Sequence, residues 1–245
     1  MVRKSKTAVG PSDFGDADRE LAATLENLND AHNYRQWIFD LIEPALGPRV
    51  LEAGAGHGTF TELLAEGRSV TATDLSPRCV GELEERFANR SDVQVLLCDL
   101  VGSSEFGPYD SAVLINVLEH IEDDGAALRE LNAQLVPGGK LALWVPAHMK
   151  LYSDFDRAIG HYRRYSREEL QQKLFDAGFV IDDIRYVNIV GSFAWWVLAC
   201  NLRRAPTGKA GVKIFDRYFV PVLRRLERNR RLPAGQSVLA LARKV

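Results

Sequence analysis

The feature that most constrains this chain is a hydrophobic period that switches repeatedly between two and 3.6 residues. Residues 49–53, 69–75, 93–97, 111–117 and 140–145 read as short apolar strands, and two more follow at 179–187 and 237–242. Between them apolar residues recur at helical spacing, in the sets Phe60, Leu63 and Leu64; Val80, Leu83 and Phe87; and Leu128, Leu131 and Leu135. The boundaries carry their own chemistry. Ser76-Pro77 supplies an N-cap and a first-turn proline, and Asp123 or Asp124 caps the next helix, which Pro137-Gly138-Gly139 stops. Ser166-Arg167-Glu168-Glu169 is a capping box that opens a helix with Leu170, Leu174 and Phe175 and closes at Gly178. Two further helices are expected near 16–29 and 31–46. Such alternation predicts an α/β fold, a doubly wound and mostly parallel sheet with helices on both faces. Ligands of these sheets sit at the carboxyl ends of the strands, where the strand order reverses.

The turn after the first strand reads Glu52-Ala53-Gly54-Ala55-Gly56-His57-Gly58-Thr59. Glycines there let the backbone approach a ligand and adopt dihedrals closed to other residues. A dinucleotide fingerprint G-x-G-x-x-G would need glycine at 59, where Thr59 stands, so a nicotinamide-dependent oxidoreductase is the weaker enzyme reading. Glu52 would repel a pyrophosphate and attract an ammonium or sulfonium. Asp74 ends the second strand, 20 residues after Gly54 (74 − 54), where a carboxylate can accept both hydroxyls of a ribose. Asp99 ends the third strand and is placed to accept from an adenine amino group.

These residues resemble motif I and the later motifs of class I S-adenosylmethionine-dependent methyltransferases. The resemblance rests on Val50 to Gly58, Asp74, Cys98-Asp99, the run Asn116-Val117-Leu118-Glu119-His120-Ile121 and Leu135-Val136-Pro137-Gly138-Gly139-Lys140-Leu141. Gly160-His161-Tyr162-Arg163-Arg164-Tyr165-Ser166 is similar to a bacterial subgroup related to the ubiquinone-biosynthesis O-methyltransferases, whose members often occur beside glycosyltransferases. The resemblance implies a Rossmann-like seven-stranded sheet with an antiparallel last strand. It also implies S-adenosyl-L-methionine as cofactor and S-adenosyl-L-homocysteine as product. Glu52, Gly54, Gly56 and Gly58 would hold the methionine portion, Asp74 with Leu75 the ribose, and Asp99 with Leu100 the adenine. Asn116 and Val117 would line the floor near the sulfonium, and Tyr34 would close over it, with Trp37 either beside it or in the core. A cofactor-binding partner subunit without catalysis is the non-enzyme alternative.

Methyl transfer needs an acceptor aligned about 3 Å from the methyl, and a hydroxyl acceptor gains from a base. His120, after the fourth strand, and His161, in the loop after the fifth, are the candidate bases; each has an alternative as a packing or loop-ordering residue. His57 is given no catalytic role. Tyr162 and Arg163 are candidate acceptor contacts, with Arg164 and Tyr165 beside them. The arginines could instead pair with Asp154 and Asp156.

Composition narrows the partners. A net charge of -2 gives no general attraction to nucleic acid, with 46% hydrophobic and 26% charged residues in an ordinary balance. From Arg203 onward, however, twelve basic residues face only Asp216 and Glu227. This block follows the apolar Gly191-Ser192-Phe193-Ala194-Trp195-Trp196-Val197-Leu198 in an insertion between the last two strands. A solvated helix face and an anionic surface or ligand are the readings of the basic block; for the apolar stretch, a lid over a lipophilic acceptor with Trp195 in contact, peripheral membrane contact, homodimer surface and core packing are open. Residues 189–200 are too few to span a bilayer, and the basic start of the chain lacks the apolar run of a signal peptide. Cys79, Cys98 and Cys200 have no metal-ligand spacing, so no metal is expected and the cytoplasm is the expected compartment. The expected organisation is a loose tail over 1–15 and one domain over 16–245. Within that domain are N-terminal helices (16–48), the cofactor core (49–188), the insertion (189–236) and the last strand (237–245).

Overall fold

A computed structural model describes residues 31–101, 107–201, 209–228 and 230–245. The tail over 1–15 and the helix expected near 16–29 lie outside them. The strands are β1 (Arg49–Ala53), β2 (Ser69–Asp74), β3 (Val93–Leu97), β4 (Tyr109–Ile115), β5 (Leu135–Pro146), β6 (Phe179–Val187) and β7 (Ser237–Lys244). They form a single seven-stranded sheet in the order β3-β2-β1-β4-β5-β7-β6. β7 runs antiparallel to both β5 and β6, and the other pairings are parallel. The strand order therefore reverses between β1 and β4, which opens a crevice at their carboxyl ends.

Period-two alternation explains why both faces are covered. Leu51, Leu114 and Leu143 point into one buried cluster, while Val50, Val113 and Trp144 point into the other. Helices α1 (His32–Ile42), α2 (Thr61–Leu64) and α3 (Pro77–Phe87) cover the second face, and α4 (Asp124–Gln134) and α6 (Arg167–Asp176) cover the first. Between them in sequence lies the short α5 (Asp154–Ala158). The expected N-caps are present, but the two-way capping box stands at Ser153 and Asp156, while Ser166 supplies only the first half of one. Ser76 accepts from the Cys79 N–H, Asp123 from Ala126 and Ser166 from Glu169.

Three local expectations need correction. Leu135 belongs to β5, opposite Tyr109, because the helix stops at Gln134 and Lys244 Nζ donates to the Asn132 and Leu135 carbonyls at 2.7 and 2.8 Å. Phe175 is 71% exposed, since it stands one residue, or about 100°, past the buried Leu174 on the helix. β4 stops at Ile115, where Asn116 takes a left-handed φ of 53° and turns the chain across the sheet edge.

The insertion before β7 is helical. It comprises α7 (Ile189–Trp195) with a π-turn over Trp196–Asn201, α8 (Lys209–Ile214), a second π-turn over Phe215–Phe219, and α9 (Val220–Glu227). No helix among the described residues is long and apolar enough to cross a membrane. The two acids of this segment fix its position. Asp216 accepts from the Asn33 and Tyr34 backbone N–H groups (3.1 and 2.8 Å), capping α1 where Ala31 has no side-chain acceptor. Glu227 accepts from Asn188 and Ile189 N–H (2.8 and 3.1 Å), satisfying the first turn of α7.

Candidate active site

On the β1 side the crevice is made mainly of backbone and carboxylates. Gly54, Gly56 and Gly58 all have positive φ, at 72°, 56° and 76°. At Gly54 a side chain is also excluded by packing, because a Cβ would lie 2.5 Å from Val117 Cγ2. Asp74 ties the turn to the next strand: one carboxylate oxygen accepts from Gly56 N–H at 2.9 Å and the other from Ser76 N–H at 2.8 Å. Part of its capacity therefore serves the start of α3, and each oxygen retains a further lone-pair site.

Glu52 is buried at the strand tip and accepts one bond, from Thr61 Oγ1 at 2.5 Å. Burial pushes its carboxyl up to about 8 against that bond, and nearby Asp74 adds to the rise. An uncompensated buried carboxyl beside a glycine turn suits a cationic ligand group, which would supply the missing counter-charge. Leu75 and Asp99 are exposed at the neighbouring strand ends, and Leu100 packs partly into the core. Among the residues present, the acidic tip, the open glycine turn and the carboxylate one strand over fit S-adenosylmethionine.

On the β4–β5 side lies a cavity of about 640 Å³ that meets the crevice at Gly54 and Asn116. Strand ends supply Ile115, Trp144 and Pro146 to its wall, and the insertion supplies Val190, Ala194, Trp195, Leu198, Phe215 and Phe219. Tyr34 also lines it, its ring edge-on to Trp37 and Trp144 with centroids 6.2 Å away in each case. Trp37 itself is buried in the core. Trp195 is held by an Nε1 bond to the Leu151 carbonyl (3.0 Å) and by the Arg164 guanidinium 4.6 Å over its ring.

Two histidines meet on this largely apolar wall. The His120 and His161 rings meet edge to face, centroids 4.5 Å apart. His161 Nδ1 lies 2.9 Å from Asp156 Oδ1, and its Nε2 is 3.7 Å from Glu119 Oε1. Asp156 is fully buried and also accepts from Ser153 and from Arg164 (2.7 Å to Nη2). Burial raises the Asp156 carboxyl, but the His161 and Arg164 bonds outweigh it and hold the group below its usual range. Burial, helped by His161, pushes the His120 imidazole down to about 4. Glu119 is fully buried, and neither of its oxygens has a hydrogen-bond partner among the described residues. Burial pushes its carboxyl up to about 8.

The fold thus assembles what spacing concealed. Glu119, His120 and His161 bring ligand-type atoms within 4.8 Å of one another, a grouping that could hold a metal ion. The sequence showed no metal spacing because 41 residues (161 − 120) separate the two histidines. The adjacent arginines point apart: Arg164 lines the cavity, whereas Arg163 pairs with Asp124 at 2.8 Å and with the Glu122 carbonyl. Tyr162 is exposed, and neither it nor Arg163 lines the cavity, which moves the acceptor-contact expectation to Arg164. Asn188 was also missed. It adopts a left-handed φ of 64°, caps α7 and lines the cavity, and an asparagine before an apolar run is a signal that could have marked it.

Sheet order, glycine turn and strand-tip acids together define a class I methyltransferase site. The model of the methyltransferase domain family matches residues 19–184. The chain belongs to that family, and its cofactor is S-adenosylmethionine. It is 29% identical over 167 residues to the ubiquinone biosynthesis O-methyltransferase of Xanthomonas axonopodis pv. citri, covering 61% of this chain and 69% of that protein. It is 30% identical over 165 residues to a probable S-adenosylmethionine-dependent methyltransferase of Mycobacterium tuberculosis, covering 64% of this chain but only 59% of that protein. The Burkholderia thailandensis 1,6-didemethyltoxoflavin-N1-methyltransferase, solved with S-adenosylhomocysteine, shares the fold. Its TM-score is 0.58 and its identity 22%, over 99% of this chain and 93% of that one.

Proposed function

We propose that this methyltransferase methylates a hydroxyl on an apolar small molecule held beneath the 189–236 insertion, with His161 as the base. Bound S-adenosylmethionine supplies a methyl group activated by its sulfonium. The observation that carries the reading is the pair of histidines on the wall of a mostly apolar cavity that is also lined by Gly54 of the glycine turn. Asp156 accepts from His161 Nδ1, which leaves Nε2 free of its proton in the neutral ring. Nε2 would take the acceptor hydroxyl proton as the oxygen displaces the methyl from sulfur, with S-adenosylhomocysteine as the leaving group. His120, kept neutral by burial, orders the ring of His161 from its flank. Trp195 and its neighbours exclude water and align the acceptor.

Glu52 and the glycines are assigned the methionine portion, Asp74 with Leu75 the ribose, Asp99 with Leu100 the adenine, and Asn116 with Val117 the floor. A methyl-transfer assay over apolar acceptors paired as phenols and the matching amines tests the reading. Transfer to phenols that His161→Ala abolishes supports it. Transfer confined to amines overturns the oxygen assignment.

A further inference from the structure

We propose that the outer face of the 209–228 segment docks on an anionic lipid bilayer, so that the cavity beneath it takes its acceptor from the membrane. Half of the large apolar side chains exposed among the described residues, 8 of 16, fall between Val190 and Leu226. Tyr218, Val222 and Leu226 stand four residues apart, forming one exposed stripe on the helix outside the cavity wall. Phe193 and Trp196 add an exposed pair, centroids 6.1 Å apart, on the other helix that roofs the same cavity.

Charge identifies the occupant. Residues 209–231 hold eight basic residues against two acids, Asp216 and Glu227. Those acids are only 6% and 8% exposed, because both cap helices on the inner side. Arg224 pairs with Asp40 and Arg231 with Asp183, but the outward surface keeps Arg217, Arg225, Arg228 and Arg230, all exposed. Arg217 also lies 5.9 Å over the Tyr218 ring, so cation and aromatic face solvent together. An apolar stripe flanked by cations is the pattern of a helix lying in the headgroup region of an acidic bilayer. A neutral apolar partner would leave those guanidiniums without acceptors. The role given to this contact rests on the proposed apolar acceptor, whereas the contact itself does not.

The test is cosedimentation of the full chain with vesicles of phosphatidylcholine alone or of equal parts phosphatidylcholine and phosphatidylglycerol. Binding is expected only to the second and should fall as salt is raised. The paired substitutions Val222→Asp with Leu226→Asp, or Arg217→Glu with Arg225→Glu, should each weaken it about tenfold or more. Unchanged S-adenosylhomocysteine affinity shows that these variants are folded, and that measurement also checks the methyltransferase site independently of the vesicles. Failure to bind acidic vesicles, or equal binding by the folded variants, overturns the proposal. So does a dimer in sedimentation velocity that Val222→Asp with Leu226→Asp dissolves, since the face would then cover a second copy.

Discussion

The two ends of the ligand cleft are built on different principles. At the β1–β2 end, a few neighbouring residues of two strand tips present backbone and carboxylates, and the contacts span short stretches such as Gly56 to Asp74. At the β4–β5 end, the polar corner draws on Glu119, His120, Asp156, His161 and Arg164, and its apolar roof comes from the far insertion. The first end suits a ligand common to a whole family, recognised by backbone shape and fixed charge. The second can change its roof without disturbing the sheet, which suits an acceptor that differs between relatives. The buried charges differ as well. The Arg164 guanidinium and a hydrogen bond from His161 hold the Asp156 carboxyl down, while burial pushes that of Glu52 up.

That comparison breaks if acceptor-side changes disturb cofactor binding. His161→Ala should lower kcat by about 10²–10⁴-fold and leave S-adenosylhomocysteine affinity unaltered in calorimetry; matched losses in both would merge the two ends. Asp74→Ala should weaken S-adenosylmethionine at least about tenfold, since it removes a charged acceptor and the Gly56 tether together. Wild-type affinity in that variant would take the ribose role from Asp74.

A pH series sharpens the electrostatic contrast. The Glu52 carboxyl is raised, so the free protein holds a proton there below about pH 8. A cationic ligand favours the ionised form and displaces that proton. Affinity for S-adenosylmethionine should therefore climb with pH, by up to about tenfold per unit, and level off above about 8. Glu52→Gln should flatten the slope, and proton release can be read from calorimetry in buffers of different ionisation enthalpy. A smaller effect is expected at the roof. Trp195→Ala should raise the acceptor KM several-fold, about 1 kcal/mol, with cofactor affinity unchanged. Smallest of all, Phe175→Ser should shift stability by no more than about 0.5 kcal/mol, as its exposure implies; a loss comparable to Leu174→Ala, about 2–5 kcal/mol, would show that the face is covered.

Local chemistry in the chain was enough to establish the seven strands, the capped helices and the glycine turn with its strand-tip acids. Each depends on residues within a few positions of one another, where period, caps and glycine dihedrals act directly. Errors at this level were small and local, as at Leu135 and Phe175, where a lysine from β7 and the exact angular position on a helix decided the outcome. The tertiary structure alone decided which histidine meets which carboxylate, that Arg164 and not Arg163 lines the cavity, and that Asp216 and Glu227 cap helices rather than balance the basic block. Those outcomes depend on which distant segments the sheet brings together. Burial then sets the balance of charge: hydrogen bonds from Arg164 and His161 hold the Asp156 carboxyl down, whereas burial without a bonded cation pushes those of Glu52 and Glu119 up.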